Sequence, residues 1–206
     1  MQISSSVNLD VPSVRKILVA ARGCFGREGY KGTSMSRMAR EAGVSKSLLH
    51  YHFDSKEQLF VEVQLMLLRD LLDRIRSFSH GPATVEHFSG ALDQVMAFIE
   101  AEVVDLRVLL EFHQQGVNNP DVALRLKGFN DEVSALVESG IRNVLGPMSD
   151  RMSIAPDRLA RMLRTIFNGL IIELIYAPDE EAKELTRQTF QDVRSLITRT
   201  VFTEVS

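Results

Sequence analysis

Residues 33–57 read TSMSRMAREAGVSKSLLHYHFDSKE. Ser34 precedes a short helical run that carries Met35, Met38, Ala39 and Ala42 inward, and its hydroxyl suits the N-cap position. Gly43 ends that run, Val44 reads as a buried turn residue, and Ser45 is placed to cap another helix with Leu49 on its inner side. Asp54-Ser55-Lys56-Glu57 then restarts a helix. Upstream, Val14, Ile17, Leu18, Ala21 and Phe25 recur at helical spacing and mark one face. Ser13, after Pro12, reads as the N-cap of that first helix and Gly29 as its stop. Three short helices joined by a tight glycine turn form a helix-turn-helix arrangement.

The rest of the chain is also helical in pattern. Leu59, Phe60, Val63, Leu67 and Leu71 share a helix with Val61, Leu65, Leu68 and Leu72. Apolar residues cover most of its circumference, which predicts burial on several sides. It runs to about Phe78, near a break at Gly81-Pro82. Further helices are expected over 84–103 and 105–115, with a break from Gly116 to Pro120. A long helix follows from Asp121 to near Gly146-Pro147. Pro156 opens the next at its first turn and Pro178 ends it. The last is expected over 180–203. No segment alternates with hairpin signals, so the fold class is all-α.

Composition narrows the partners. Of 206 residues, 45% are hydrophobic and 25% charged, which favours a folded chain over a disordered one. A single cysteine, Cys24, excludes an intrachain disulfide and a cysteine zinc finger. Residues 1–10 read as a polar tail without the apolar stretch of a signal peptide. No apolar run reaches the roughly 18–20 residues that span a bilayer, so a cytoplasmic protein without membrane contact is expected. The net charge of −3 argues against nucleic acid when taken whole. It divides unevenly, however: residues 1–54 carry eight basic and four acidic side chains, net +4, leaving −7 for the remainder. Such asymmetry points to a basic nucleic-acid module joined to a second domain.

The stretch Thr33–Glu57, with Phe25-Gly26-Arg27-Glu28-Gly29-Tyr30 before it, resembles the DNA-binding module of the TetR family of transcriptional repressors. The later helices fit that family's ligand-binding and dimerisation domain in number and length. The resemblance implies a polar tail over 1–10, a helix-turn-helix DNA-binding domain over 11–54 and a helical ligand-binding and dimerisation domain over 55–206. It implies that Lys46, Ser47, Leu48 and Tyr51 face base edges while His50, His52 and Lys56 lie near phosphates. The physics of the module supports the role independently. Ser45, Lys46 and Ser47 are small or polar enough at the helix start to enter a major groove. Ser34 would place a helix N-terminus against a phosphate, with Arg37 within reach and Thr33 assisting. Many relatives carry tyrosine where this chain has His50. Histidine charges near neutral pH, so DNA affinity is expected to rise modestly on acidification through His50 and His52.

Other chemistry is thinly represented. His80, His87 and His113 have no metal-ligand spacing, the serines no nucleophile elbow, and Gly26, Gly29 and Gly32 no preceding strand, so neither an enzyme nor a bound cofactor or metal is expected. Arg107, His113, Asn168 and Glu173 lie within apolar helical stretches and are candidates to orient a small, hydrophobic effector. Leu159, Leu163, Ile166, Leu170 and Leu174, with Val193, Leu196 and Ile197, form strong stripes on the last two helices. Gly169 between them invites close approach of another helix. The resemblance implies that these helices pair with a second copy. The expected function is a ligand-responsive transcriptional regulator, most simply a homodimeric repressor released from an inverted-repeat operator in double-stranded DNA. A transcriptional activator, a corepressor-dependent regulator and a helical protein-interaction module are the alternatives.

Overall fold

A computed structural model describes residues 7–78, 84–146, 149 and 152–202. Regular structure among them is helical: α1 (Pro12–Gly32), α2 (Met35–Glu41), α3 (Lys46–His52), α4 (Lys56–Phe78), α5 (Val85–Ala101), α6 (Val103–Asn118), α7 (Pro120–Leu145), α8 (Pro156–Tyr176) and α9 (Glu180–Phe202). The chain forms two compact units. The first holds Met1–Asp70 with Val104–Phe129, and the second holds Leu71–Val103 with Asn130–Ser206. Residues of α4 and α7 therefore belong to both. Among the described residues no helix is long and apolar enough to cross a membrane. The proposed breaks at Gly81-Pro82 and Pro147, His80, and most of the N-terminal tail lie outside the described residues.

In the first unit, the predicted stripe of α1 is fully buried from Val14 to Phe25, and α2 packs between α1 and α3. Phe25 meets Phe60 of α4 edge-on at 4.8 Å between ring centres. Cys24 lies in the same core, and burial pushes its thiol pKa up, leaving it a packed, unreactive sulfur. Arg22 of α1 grips Asp105 of α6 through two nitrogens, Nε at 2.9 Å. The fully buried Gln64 of α4 donates to the Val108 carbonyl of α6 at 3.3 Å.

In the second unit, α8 packs on α9, and α5 packs on both. Leu159, Leu163, Leu170, Leu174, Phe190 and Ile197 are buried there. Arg187 of α9 binds Glu100 of α5 at 2.6 Å and, on its own helix, Glu180 and Glu184. These carboxylates raise the guanidinium pKa further above its ordinary range. Arg194 pairs with Asp93, adding a second polar tie between α9 and α5.

Three local expectations need correction. Ser13 does not cap α1: the N-cap is Val11, which makes no side-chain cap, and Ser13 lies inside the helix. Its hydroxyl instead bonds His52 Nε2 at 2.8 Å. Gly116 does not break the chain, because α6 continues through it to Asn118. A Cβ there would stand 2.7 Å from Leu126 Cδ1, so glycine serves the close packing of α6 against α7. Val44 is half-buried rather than buried.

Candidate nucleic-acid interface

The turn between α2 and α3 follows from three residues. Ser34 accepts from the Arg37 amide at 3.3 Å and Ser45 from the Leu48 amide at 3.0 Å, so both expected N-caps form. Gly43, at φ +65°, takes the left-handed conformation that lets the chain reverse between the helices. Leu49 and Phe53 are fully buried and anchor α3 from below. That anchoring leaves a row of outward side chains. Ser45, Lys46, Ser47 and His50 are exposed, Leu48 is 37% exposed, and Tyr51 is 81% exposed. Tyr51 leans edge-on against His52 at 5.1 Å. Ser34 is exposed beside them, as is Arg40 of α2. Arg40 was missed by the sequence reading, although it sits one helical turn after Arg37.

Four of the expected DNA contacts have polar partners within the protein. Thr33 is buried, and its hydroxyl donates to the Gly29 carbonyl at 2.9 Å. Arg37 pairs with Glu28 at 2.6 Å, with its side chain still 41% exposed. His52 is half-buried and spends Nε2 on Ser13. Lys56 is half-buried, and its ammonium donates to the carbonyls of Tyr30 at 2.9 Å and Thr33 at 3.0 Å. It also lies 4.2 Å above the Tyr30 ring centre, a cation–π contact.

That lysine belongs to a joint whose break at Gly29 the sequence marks but whose distant partners it does not. Gly29, at φ +69° and ψ 174°, breaks α1, and residues 30–32 add one detached turn before α2. Tyr30 is its hub. The ring packs against Phe60 at 4.9 Å, and the hydroxyl donates to Glu57 at 2.5 Å. Burial, and then the bond to Glu57, push the phenol pKa up. The Tyr30 hydroxyl is the main influence that holds the Glu57 carboxyl below its usual range. Glu57 therefore contributes stability that is complete above the ordinary carboxylate range and fades as pH falls through its lowered folded value. Tyr30 contributes below the ordinary phenol range and loses that contribution as pH rises through its raised value. Tyr30→Phe is expected to lower the melting temperature across roughly pH 5–9 and to converge with wild type in acid, as thermal scans at several pH values would show.

The four candidate effector residues divide between the units. Arg107 and His113 lie in the first, both exposed, with His113 Nδ1 against the Leu109 carbonyl at 3.0 Å. Asn168 and Glu173 lie in the second, half-buried and exposed. Glu173 lines a small cleft of about 300 Å³ with Leu170, Tyr176, Leu185 and Thr189. A larger cleft of about 780 Å³ in the first unit is lined by Tyr30, Glu57 and Phe60, with Glu111, Gln114 and Asn118 of α6.

The stripes expected at a dimer contact also divide. Leu159, Leu163, Leu170, Leu174 and Ile197 are buried within the second unit itself, and Ile166 and Val193 are half-buried. Leu196 is 65% exposed. Sequence reasoning missed the outer row: Met162, Ile172 and Tyr176 on α8, and Leu185 on α9, are exposed. Gly169 lies on the same exposed side of α8, with open space around the position of a Cβ.

Comparison with known proteins places these features in context. Residues 17–63 match the family model of bacterial regulatory proteins, tetR family. Residues 85–199, more than half of the chain, match the model of the BetI-type transcriptional repressor C-terminal domain. The chain is 51% identical over 61 residues to the HTH-type transcriptional regulator BetI of Agrobacterium fabrum, covering 29% of this chain and 30% of the relative. It is 40% identical over 85 residues to the regulator BetI of Rhizobium meliloti, covering 41% and 42%. The matched segments thus span well under half the length of these curated relatives. A transcription regulator from Haloarcula marismortui superposes with a TM-score of 0.73 at 22% identity, covering 89% of this chain and 97% of that one. A regulator from Saccharomonospora viridis, solved in complex with choline, gives 0.70 at 21% identity, covering 91% and 96%. Likenesses at that identity speak for the fold.

Proposed function

The chain belongs to the tetR family of bacterial regulatory proteins, and from that premise we propose that it is a homodimeric repressor released from an inverted-repeat operator by a small molecule. The observation that carries this reading is the outward row of α3. A buried Leu49 and Phe53 fix the helix, and a Ser45 cap sets its start. Lys46, Ser47, Leu48, His50 and Tyr51 are left free to meet a major groove. Lys46 reads base edges, Leu48 contacts a thymine methyl, and His50 lies near a phosphate. Arg40 adds a further phosphate contact. Because two copies read two half-sites, operator affinity depends on the alignment of the heads. Effector binding in the second unit favours a misaligned state, and a coupling of about 1–3 kcal/mol gives roughly 5–150-fold release. Residues of α4 belong to both units and provide one of the covalent links between them.

The effector class has one specific pointer. The choline complex of a regulator of similar fold favours a small organic cation over the purely apolar effector inferred from composition. Choline added to the purified protein is expected to raise its melting temperature and lower its operator affinity. A shift with an apolar probe alone would favour the other class.

Two lysines separate reading from support. Lys46→Ala is expected to change which base pairs are preferred. Each lost base contact costs about 1–3 kcal/mol. Lys56→Ala is expected to weaken binding to every sequence and lower thermal stability, while leaving the salt dependence of binding nearly intact, since its ammonium is engaged by the protein's own carbonyls. A salt slope reduced by about one in Lys56→Ala would return that residue to the phosphate backbone.

A further inference from the structure

The break at Gly29 creates a specific polar need. In an unbroken helix the Tyr30 amide would bond a carbonyl four residues earlier. At φ +69° and ψ 174° the chain leaves that path, and the amide faces away from its own helix. Glu111 of α6, 81 residues later in sequence, supplies the acceptor: Oε2 lies 3.2 Å and Oε1 3.4 Å from the Tyr30 nitrogen. The same detached turn is held at its other end by Lys56, whose ammonium takes the Tyr30 and Thr33 carbonyls. A carboxylate at the amino end and an ammonium at the carbonyl end both complement the peptide dipoles of the turn. The turn leads through Thr33 directly to Ser34, the cap of α2. Its placement therefore sets where α2 starts and how α3 is presented.

We propose that Glu111 is a positioning residue for operator reading, acting through the Tyr30 amide rather than through any contact with DNA. The assignment rests on the DNA-binding reading above. It gives α6 a direct hold on the reading head. Glycine at position 29 is required by its φ of +69°, and a Cβ there would also stand 3.1 Å from Glu111 Oε1. Arg22–Asp105 ties the same two helices together without involving Glu111.

The test compares Glu111→Gln and Glu111→Ala with wild type in the full-length protein. Glutamine keeps one acceptor and loses the charge, while alanine loses both. Hydrogen exchange of the Tyr30 amide in free protein is expected to accelerate in the order wild type, Gln, Ala. Affinity for the selected operator is expected to fall in the same order, by roughly five- to tenfold for alanine, a part of the roughly 10–150-fold that a full charged hydrogen bond is worth. Affinity for random DNA should fall less, and the salt slope should stay unchanged, because no phosphate contact is removed. Equal losses on operator and random DNA, or a Tyr30 amide that exchanges at the wild-type rate in Glu111→Ala, would overturn the assignment. If alanine unfolds the chain, glutamine still carries both readouts. A wild type that prefers no DNA sequence would overturn the DNA-binding reading itself, whereas the amide exchange reports on the Glu111 contact without DNA.

Discussion

Replacing Leu185 and Leu196 together by aspartate is expected to leave a folded monomer whose operator affinity is lower by about two orders of magnitude or more. Both side chains are 65% exposed on α9; Tyr176 of α8 shares a small cleft with Leu185, and Met162 and Ile172 of α8 are exposed too. Exposed apolar patches mark association surfaces. The inner stripe of the same helices already packs against α5, so aspartate on the outer row does not reach the core. The loss on DNA follows from avidity. Two linked heads bind their second half-site at a high effective concentration, and a monomer forfeits that gain. Sedimentation separates this account from simple unfolding, since helix content and cooperative melting should persist. Gly169→Leu offers a second probe. Nothing within the protomer lies near a Cβ at that position, so any loss of association there reports on a partner.

Phe60→Ala carries the second large effect. Phe60 is fully buried and sits between Phe25 of α1 and Tyr30 of the detached turn. Truncating such a ring costs about 3–5 kcal/mol through lost burial and the cavity that remains. That is a large share of a stability of about 5–15 kcal/mol. For a chain of this size, the melting temperature is expected to fall by roughly 10 °C. DNA binding should decline along with it, because the ring supports the turn that precedes α2. Tyr30→Phe keeps the aromatic packing and removes only the hydroxyl, so its cost should be much smaller. Similar losses in the two variants would show that the Glu57 bond, not the aromatic cluster, holds the joint.

The helix-turn-helix was legible because its signals are local. Ser34, Gly43 and Ser45 each act on the backbone within three residues, and all three do what their positions predict. The stripe of α1 was legible for the same reason. What escaped was long-range. Nothing near Lys56 in sequence shows that its ammonium reaches back to Tyr30 and Thr33, or that Ser13 waits for His52 across 39 residues. Gly116 misled for a related reason: its cost to the helix is local, while its benefit comes from Leu126 of α7. On α8 and α9 the strongest apolar stripe proved to be the protomer's own core. Periodicity finds apolar faces but does not say which neighbour covers each one, so the weaker outer row of Met162, Ile172, Tyr176 and Leu185 went unread. The charge division was informative only at coarse grain. Residues 1–54 are net basic, yet Arg37 pairs with Glu28 and Arg27 with Glu41, while Lys46 of α3 and Arg40 of α2 are exposed.

Selection of bound fragments from a random DNA pool by the purified protein tests the central claim most directly. The account predicts enrichment of one inverted repeat, with two half-sites separated so that successive major grooves face the same side of the duplex. It further predicts that Lys46→Ala alters the preferred bases within each half-site. Recovery of DNA without a shared sequence, or of a site without two-fold symmetry, would contradict it.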